Sequence, residues 1–194
     1  MKRILELAAV AVLGLMTASC NKSAAPEEGV PVSISVQAPE IGTRSISDGK
    51  SVNQVRCIVF RDGKLIQHSD VTKVIPMTGG TATYETRLIS GQTYKIVFWA
   101  EVKDNAYYSV DYQNATVTVN YGAGNEEKRD AFYKVIEYTV TDGQAAQTVT
   151  LKRPFAQLNY GLSADDKALA DAVSPIVKSS VKLDDVVYTK LNLF

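Results

Sequence analysis

The strongest constraint on this chain is a two-residue alternation. From Val30 to Gln37, the residues Val32, Ile34 and Val36 fall on one side while Ser33, Ser35 and Gln37 fall on the other. Successive side chains of a strand point to opposite faces, so this pattern predicts a strand with one buried face. Thr81 to Leu88 alternates in the same way. Tyr94 to Val102 differs: Tyr94, Ile96, Phe98 and Ala100 share a face, and Val97 and Trp99 populate the other. A run apolar on both faces belongs in the middle of a covered sheet.

Further strand-like runs are Val52–Phe60, Val71–Ile75, Tyr107–Tyr112, Thr116–Tyr121, Val135–Val140, Gln147–Leu151 and Phe155–Tyr160, with late candidates at Val181–Leu183 and Val186–Leu191. Asp62-Gly63, Ser90-Gly91 and Asp142-Gly143 separate several of them. Gly reaches positive φ without steric cost, so Asp-Gly between apolar runs is a hairpin signal. Short strands with turns about every 8–12 residues predict an all-β chain, a β-sandwich or Greek-key barrel. One short helix is expected from Ser163 to about Val173. Ser163 would cap it, and Asp165 and Asp166 would sit in its positive first turn.

Charge and cysteine content narrow the function. Lys plus Arg and Asp plus Glu are both 21 in 194 residues, so the formal net charge is zero. That leaves no basic footprint for nucleic acid. Two cysteines and one histidine exclude a disulfide framework and a Cys/His zinc site. His68-Ser69-Asp70 contains the letters of a catalytic triad, but such groups converge from separate elements and not from neighbours in sequence. Cys57 reads as a buried, inert thiol. Gly122-Ala123-Gly124 lacks the third glycine of a phosphate-binding loop and is followed by Glu126 and Glu127. No enzymatic activity, cofactor or metal is expected.

The first residues read as an address. Met1-Lys2-Arg3 is basic, Ile4 to Met16 is mostly apolar, and Thr17-Ala18-Ser19 are small. The run is too short to span ~30 Å of hydrocarbon as a stable helix and reads as a secretory signal peptide. Cys20, directly after the small residues, is similar to the lipidated first residue of a mature bacterial lipoprotein. The expected organisation is a signal peptide at residues 1–19, a flexible tether at 20–29 and a β-sandwich domain at 30–194. The apolar end Lys190–Phe194, with no polar tail, suggests that the natural protein is longer.

Four features in chain order carry a resemblance. They are the lipobox followed by an alternating strand and Thr43-Arg44, Phe98-Trp99-Ala100, Arg129-Asp130-Ala131-Phe132-Tyr133, and Leu151-Lys152-Arg153-Pro154-Phe155-Ala156-Gln157-Leu158-Asn159. With these the chain resembles the fimbrillin-like lipoproteins of Bacteroidales, the type V pilin superfamily and its fimbrillin-associated lipoproteins. The resemblance implies a transthyretin-like β-sandwich, exported to the outer membrane and held at the cell surface or in a fimbrium by lipid on Cys20. It also implies cleavage after an Arg between the first two strands, departure of the first strand, and filling of the vacated groove by a strand of another pilus subunit.

In this sequence Arg44 is the candidate cut site, being the only Arg between residues 4 and 55 and lying among Gly42, Thr43 and Ser45. Val32, Ile34 and Val36 mark the candidate exchanged strand. The expected function is a structural or accessory subunit in pilus assembly, anchoring or adhesion. The alternative is a surface lipoprotein that binds a glycan or host ligand without polymerising, with Trp99, Tyr107, Tyr108 and Tyr112 as candidate sugar-stacking rings.

Overall fold

The structure, a computed structural model, describes residues 29–39, 49, 51–122, 127–155, 167, 168, 172 and 187–194. Eleven strands are found among them: β1 (Val30–Gln37), β2 (Gln54–Arg61), β3 (Lys64–Leu65), β4 (Lys73–Pro76), β5 (Thr81–Leu88), β6 (Thr93–Glu101), β7 (Tyr108–Asp111), β8 (Thr116–Val119), β9 (Ala131–Thr139), β10 (Gln147–Thr150) and β11 (Lys190–Asn192). A single 3-10 turn, Glu127–Arg129, precedes β9. The chain is all-β as expected. Within the expected helix only Lys167, Ala168 and Ala172 are described, and their backbone is helical. The predicted strand at Val181–Leu183 and residues 156–160 of the one starting at Phe155 lie outside the described residues.

The strands form three sheets. One has the order β10-β1-β5, a second β3-β2-β6-β9 with β4 added beside β2, and a third β11-β8-β7. Asp62 and Gly63 turn β2 into β3 with φ of 51° and 71°. Both central residues therefore occupy the left-handed region, which the right-handed twist of a tight hairpin demands.

The first sheet packs on the second through the main core. Val32, Ile34, Val36, Ala82, Tyr84, Leu88 and Val149 come from the first sheet, and Val55, Cys57, Val59, Ile96, Phe98, Ala100 and Phe132 from the second. The opposite face of the second sheet is also covered. Ile58, Phe60, Val97 and Trp99 pack there with Val117 of the third sheet, with Ala115 just before β8 and with Leu193. β6 is thus buried on both faces, as its unbroken apolar run implies. The expected sandwich carries an additional, third layer. Two backbone bonds between Tyr133 and Lys152, of 2.8 and 3.0 Å, join the first two sheets along one seam.

Candidate functional site

β1 is the first described strand of the chain, yet it lies in the middle of its sheet. It pairs antiparallel with β5 over its whole length, from Val30 opposite Leu88 to Gln37 opposite Thr81. On its other edge it pairs parallel with β10, from Ile34 opposite Gln147 to Gln37 opposite Thr150. Parallel neighbours need a long crossover. Here the chain passes through both other sheets between β1 and β10.

The comb read from the sequence is the buried edge of this strand. Ile34 and Val36 are fully buried and Val32 nearly so, while Ser33, Ser35 and Gln37 are half-buried on the outer face. Ile34 stands opposite Tyr84, whose ring meets Phe98 edge to face at 5.9 Å. The Tyr84 hydroxyl donates to the Val71 carbonyl at 2.6 Å.

Neighbouring strands lie about 4.8 Å apart, so a sheet lacking its central strand would hold a slot about 10 Å wide. Its walls would be the backbone groups of β5 and β10, and its floor the main core. Unpaired strand edges of this kind are templates for strand addition.

The downstream end of β1 is held by bonds outside the ladder. Leu151 N–H donates to the Gln37 carbonyl at 2.8 Å, and Ala38 N–H to Gly80 at 2.8 Å. Arg44 and Cys20 lie outside the described residues, but Gly49, five residues after Arg44, is described. Its N–H donates to Asp130 Oδ2 at 2.9 Å. Asp130 is buried, and its Oδ1 accepts Arg153 Nη1 at 2.8 Å. The Arg153 guanidinium lies 4.9 Å from the centre of the Phe132 ring. Two motifs noted separately in the sequence therefore meet in space. Their contact follows from the Tyr133–Lys152 pairing, which brings the start of β9 beside the end of β10.

A second buried acid went unread in the sequence. Glu101 ends the most apolar strand and is 1% exposed. Oε1 accepts Gln54 Nε2 at 2.9 Å and Arg56 Nε at 2.6 Å, and Oε2 accepts Trp99 Nε1 at 2.9 Å. Arg56 also donates to the Tyr112 hydroxyl at 3.0 Å. Burial opposes the Arg56 charge, but Tyr112 and the Glu101 carboxylate outweigh it and raise its pKa. The donors aimed at Glu101 come from β2 and β6 and tie these two strands together, while Arg56 reaches on to Tyr112, just past the end of β7. The visible signal was a lone acid closing an apolar strand.

The remaining candidates separate cleanly. Trp99 is fully buried, which removes it as a sugar platform. Tyr108 packs against Trp99 at 5.3 Å and parallel to Phe155 at 6.5 Å, and its hydroxyl donates to the Arg129 carbonyl at 2.5 Å. Tyr112 is engaged by Arg56. Tyr107 is half-buried beneath the Arg129 guanidinium, 4.8 Å from its ring centre. Among the described residues the exposed tyrosines are others: Tyr121 at 54% and Tyr188 at 77%, joined by a 3.0 Å bond from the Tyr121 hydroxyl to the Tyr188 carbonyl. His68 Nδ1 accepts the Asp70 N–H at 3.2 Å, a local turn contact. Cys57 is fully buried, and burial pushes its thiol pKa up, away from the reactive thiolate.

Comparison with known proteins places the chain. No curated protein matches it. A candidate polysaccharide-binding protein of family DUF1812 from Bacteroides thetaiotaomicron VPI-5482 aligns at a TM-score of 0.43 and 16% identity, over 64% of this chain and 47% of its own. A fimbrial assembly protein from Parabacteroides distasonis ATCC 8503 aligns at a TM-score of 0.37 and 17% identity, over 63% of this chain and 52% of its own. The aligned part thus spans about half the length of each of these structures. Residues 24–194 match the family DUF6562, and the chain belongs to this family, whose function is unknown.

Proposed function

We propose that this protein is a surface-anchored structural or accessory subunit that assembles by strand exchange, with β1 as the strand given up. One observation carries the reading. The first described strand is an interior strand, bonded to β5 along one edge and to β10 along part of the other, with its apolar comb in the main core. A first strand is the cheapest interior strand to remove, because a single cut after it detaches it from the rest of the chain. Arg44 lies in the connection to β2 and is the proposed cut site. The four motifs shared with fimbrillin-like lipoproteins support the same reading, as does Cys20 as the proposed lipid anchor to the outer membrane. The partners would be other pilus subunits.

The test is treatment of the mature protein with an arginine-specific protease. A single cut after Arg44 followed by an ordered ladder of oligomers is the expected result. Resistance at Arg44, or a cut protein that stays monomeric and retains its β1 peptide, would remove the proposal. In the same work, Cys20→Ser should leave the protein in the soluble fraction.

A second reading is favoured by the exposed pair Tyr121 and Tyr188. Aromatic faces stack on sugar rings, and a non-polymerising glycan binder would use them. Glycan-array binding lost in Tyr188→Ala, together with no oligomers after cleavage, would favour this reading over the first.

A further inference from the structure

We propose that Asp130 and Arg153 form a clip that fastens the downstream end of the β1–β2 connection to the body of the sandwich, so that β1 is released without unravelling β2. The inference deepens the strand-exchange reading and rests on it for its purpose. The clip's existence in the intact chain does not depend on that reading.

The connection is held at both of its bases, by different means. Upstream, Gln37 and Ala38 make backbone bonds to Leu151 and Gly80, and Ala38 packs against the main core. These bonds are of the same kind as the ladder bonds of β1 and break with them when the strand leaves. Downstream, Gly49 is held by an acidic side chain. Asp130 is 2% exposed and uses one oxygen for Gly49 and the other for Arg153, partners 81 and 23 residues away in sequence. Hydrogen bonds to charged groups are stronger than bonds between neutral ones, and Arg153 sets a guanidinium 2.8 Å from this buried side chain.

Gly49 has a φ of 81°, where a side chain would strain the backbone. Glycine at this position lets the N–H turn toward the carboxylate.

The next fastenings continue the hold. Val52 is buried, Asn53 N–H donates to the Glu101 carbonyl at 3.3 Å, and the Asn53 carbonyl accepts Met77 N–H at 2.9 Å. The body therefore grips the chain from Gly49 onward, and a cut after Arg44 falls upstream of that grip. β2 has need of it. It is an interior strand of the second sheet, between β6 on one side and β3 and β4 on the other, and its start would otherwise become a free chain end only a few residues from its first ladder bond.

Hydrogen–deuterium exchange with mass spectrometry tests this on the mature chain, intact and after cleavage, for wild type and Asp130→Asn. In the intact chain the variant should exchange at least ten-fold faster over Gly49–Asn53, while Ile96–Phe98 of β6 stays unchanged. In the cleaved chain wild type should keep its protection at Gly49 and the variant should lose it into the first residues of β2. Equal exchange at Gly49 in intact wild type and variant would overturn the clip. So would loss of that protection in cleaved wild type. If Asp130→Asn loses protection in β6 as well, Arg153→Gln decides, since it leaves the Gly49 acceptor in place. Faster exchange at Gly49 with β6 intact supports the clip, and wild-type exchange there overturns it. Resistance of Arg44 to the protease would sink the strand-exchange reading, while the intact-chain comparison would still decide the clip.

Discussion

Ile34 and Ser35 are neighbours with opposite environments. Ile34 is fully buried in the main core, while Ser35 is half-buried on the outer face of the same strand. Ile34→Ala should cost about 2–5 kcal/mol, as for other large-to-small core changes. Ser35→Ala should stay within about 0.5 kcal/mol, the usual range for surface substitutions. Urea denaturation of both variants measures the difference, and equal costs would mean that the comb does not face the core. Tyr108 gives a pH prediction. Burial, and then the nearby Asp130 carboxylate, push its phenol up to about 12 from an ordinary value of 10. Between these values the unfolded chain loses a proton that the folded one keeps. The stability is therefore fully present below pH 10 and falls as pH rises toward 12, by ~1.4 kcal/mol for each unit of separation. Tyr108→Phe should flatten the fall in melting temperature between pH 10 and 11.5, and an unchanged slope would contradict the assignment.

Strands that bury one face or both were legible because burial writes itself into the side-chain pattern. Thr81–Leu88 was found with its observed ends. Val30–Gln37 was also found whole, because its comb alternates from Val32 onward. β9 was harder. Ala131 to Tyr133 and the run from Val135 are one strand, interrupted in hydrophobic pattern by Lys134. Of the late run at Val186–Leu191, residues 187–191 are described, and the strand found there is β11, Lys190–Asn192, which pairs with β8. Pairings between distant elements were not legible at all. Nothing in Val30–Gln37 says that β10 will lie beside it, since strand register across such a separation is set by the packing of the whole. The same holds for Asp130 and Arg153, which are charged letters in sequence and become a buried pair only when β9 and β10 meet. The third sheet yields an element-scale prediction. Leu193 is buried against the outer face of the second sheet, and its N–H donates to the Ala115 carbonyl at 2.9 Å. Leu193→Ala should speed amide exchange in β8 and β11 while leaving β1 and β5 at wild-type rates. Equal loosening of β1 would show that the two cores are not separate.

At the scale of the molecule, one sheet serves two cores. The second sheet is covered on both faces, so removal of β1 from the first sheet would leave its other face covered. The buried Glu101 cluster lies within the second sheet, where it ties β2 to β6 and reaches Tyr112, just past the end of β7, through Arg56. The proposed function requires that an interior strand leave one layer while the rest holds. The central claim is that β1 is that strand. It is tested most directly by cleaving the mature protein after Arg44 and adding a fluorescent peptide with the sequence of Val30–Gln37. The account predicts saturable uptake of one peptide per chain, abolished when Val32, Ile34 and Val36 are replaced by Asp in the peptide. No uptake, or equal uptake of the Asp-substituted peptide, would contradict it.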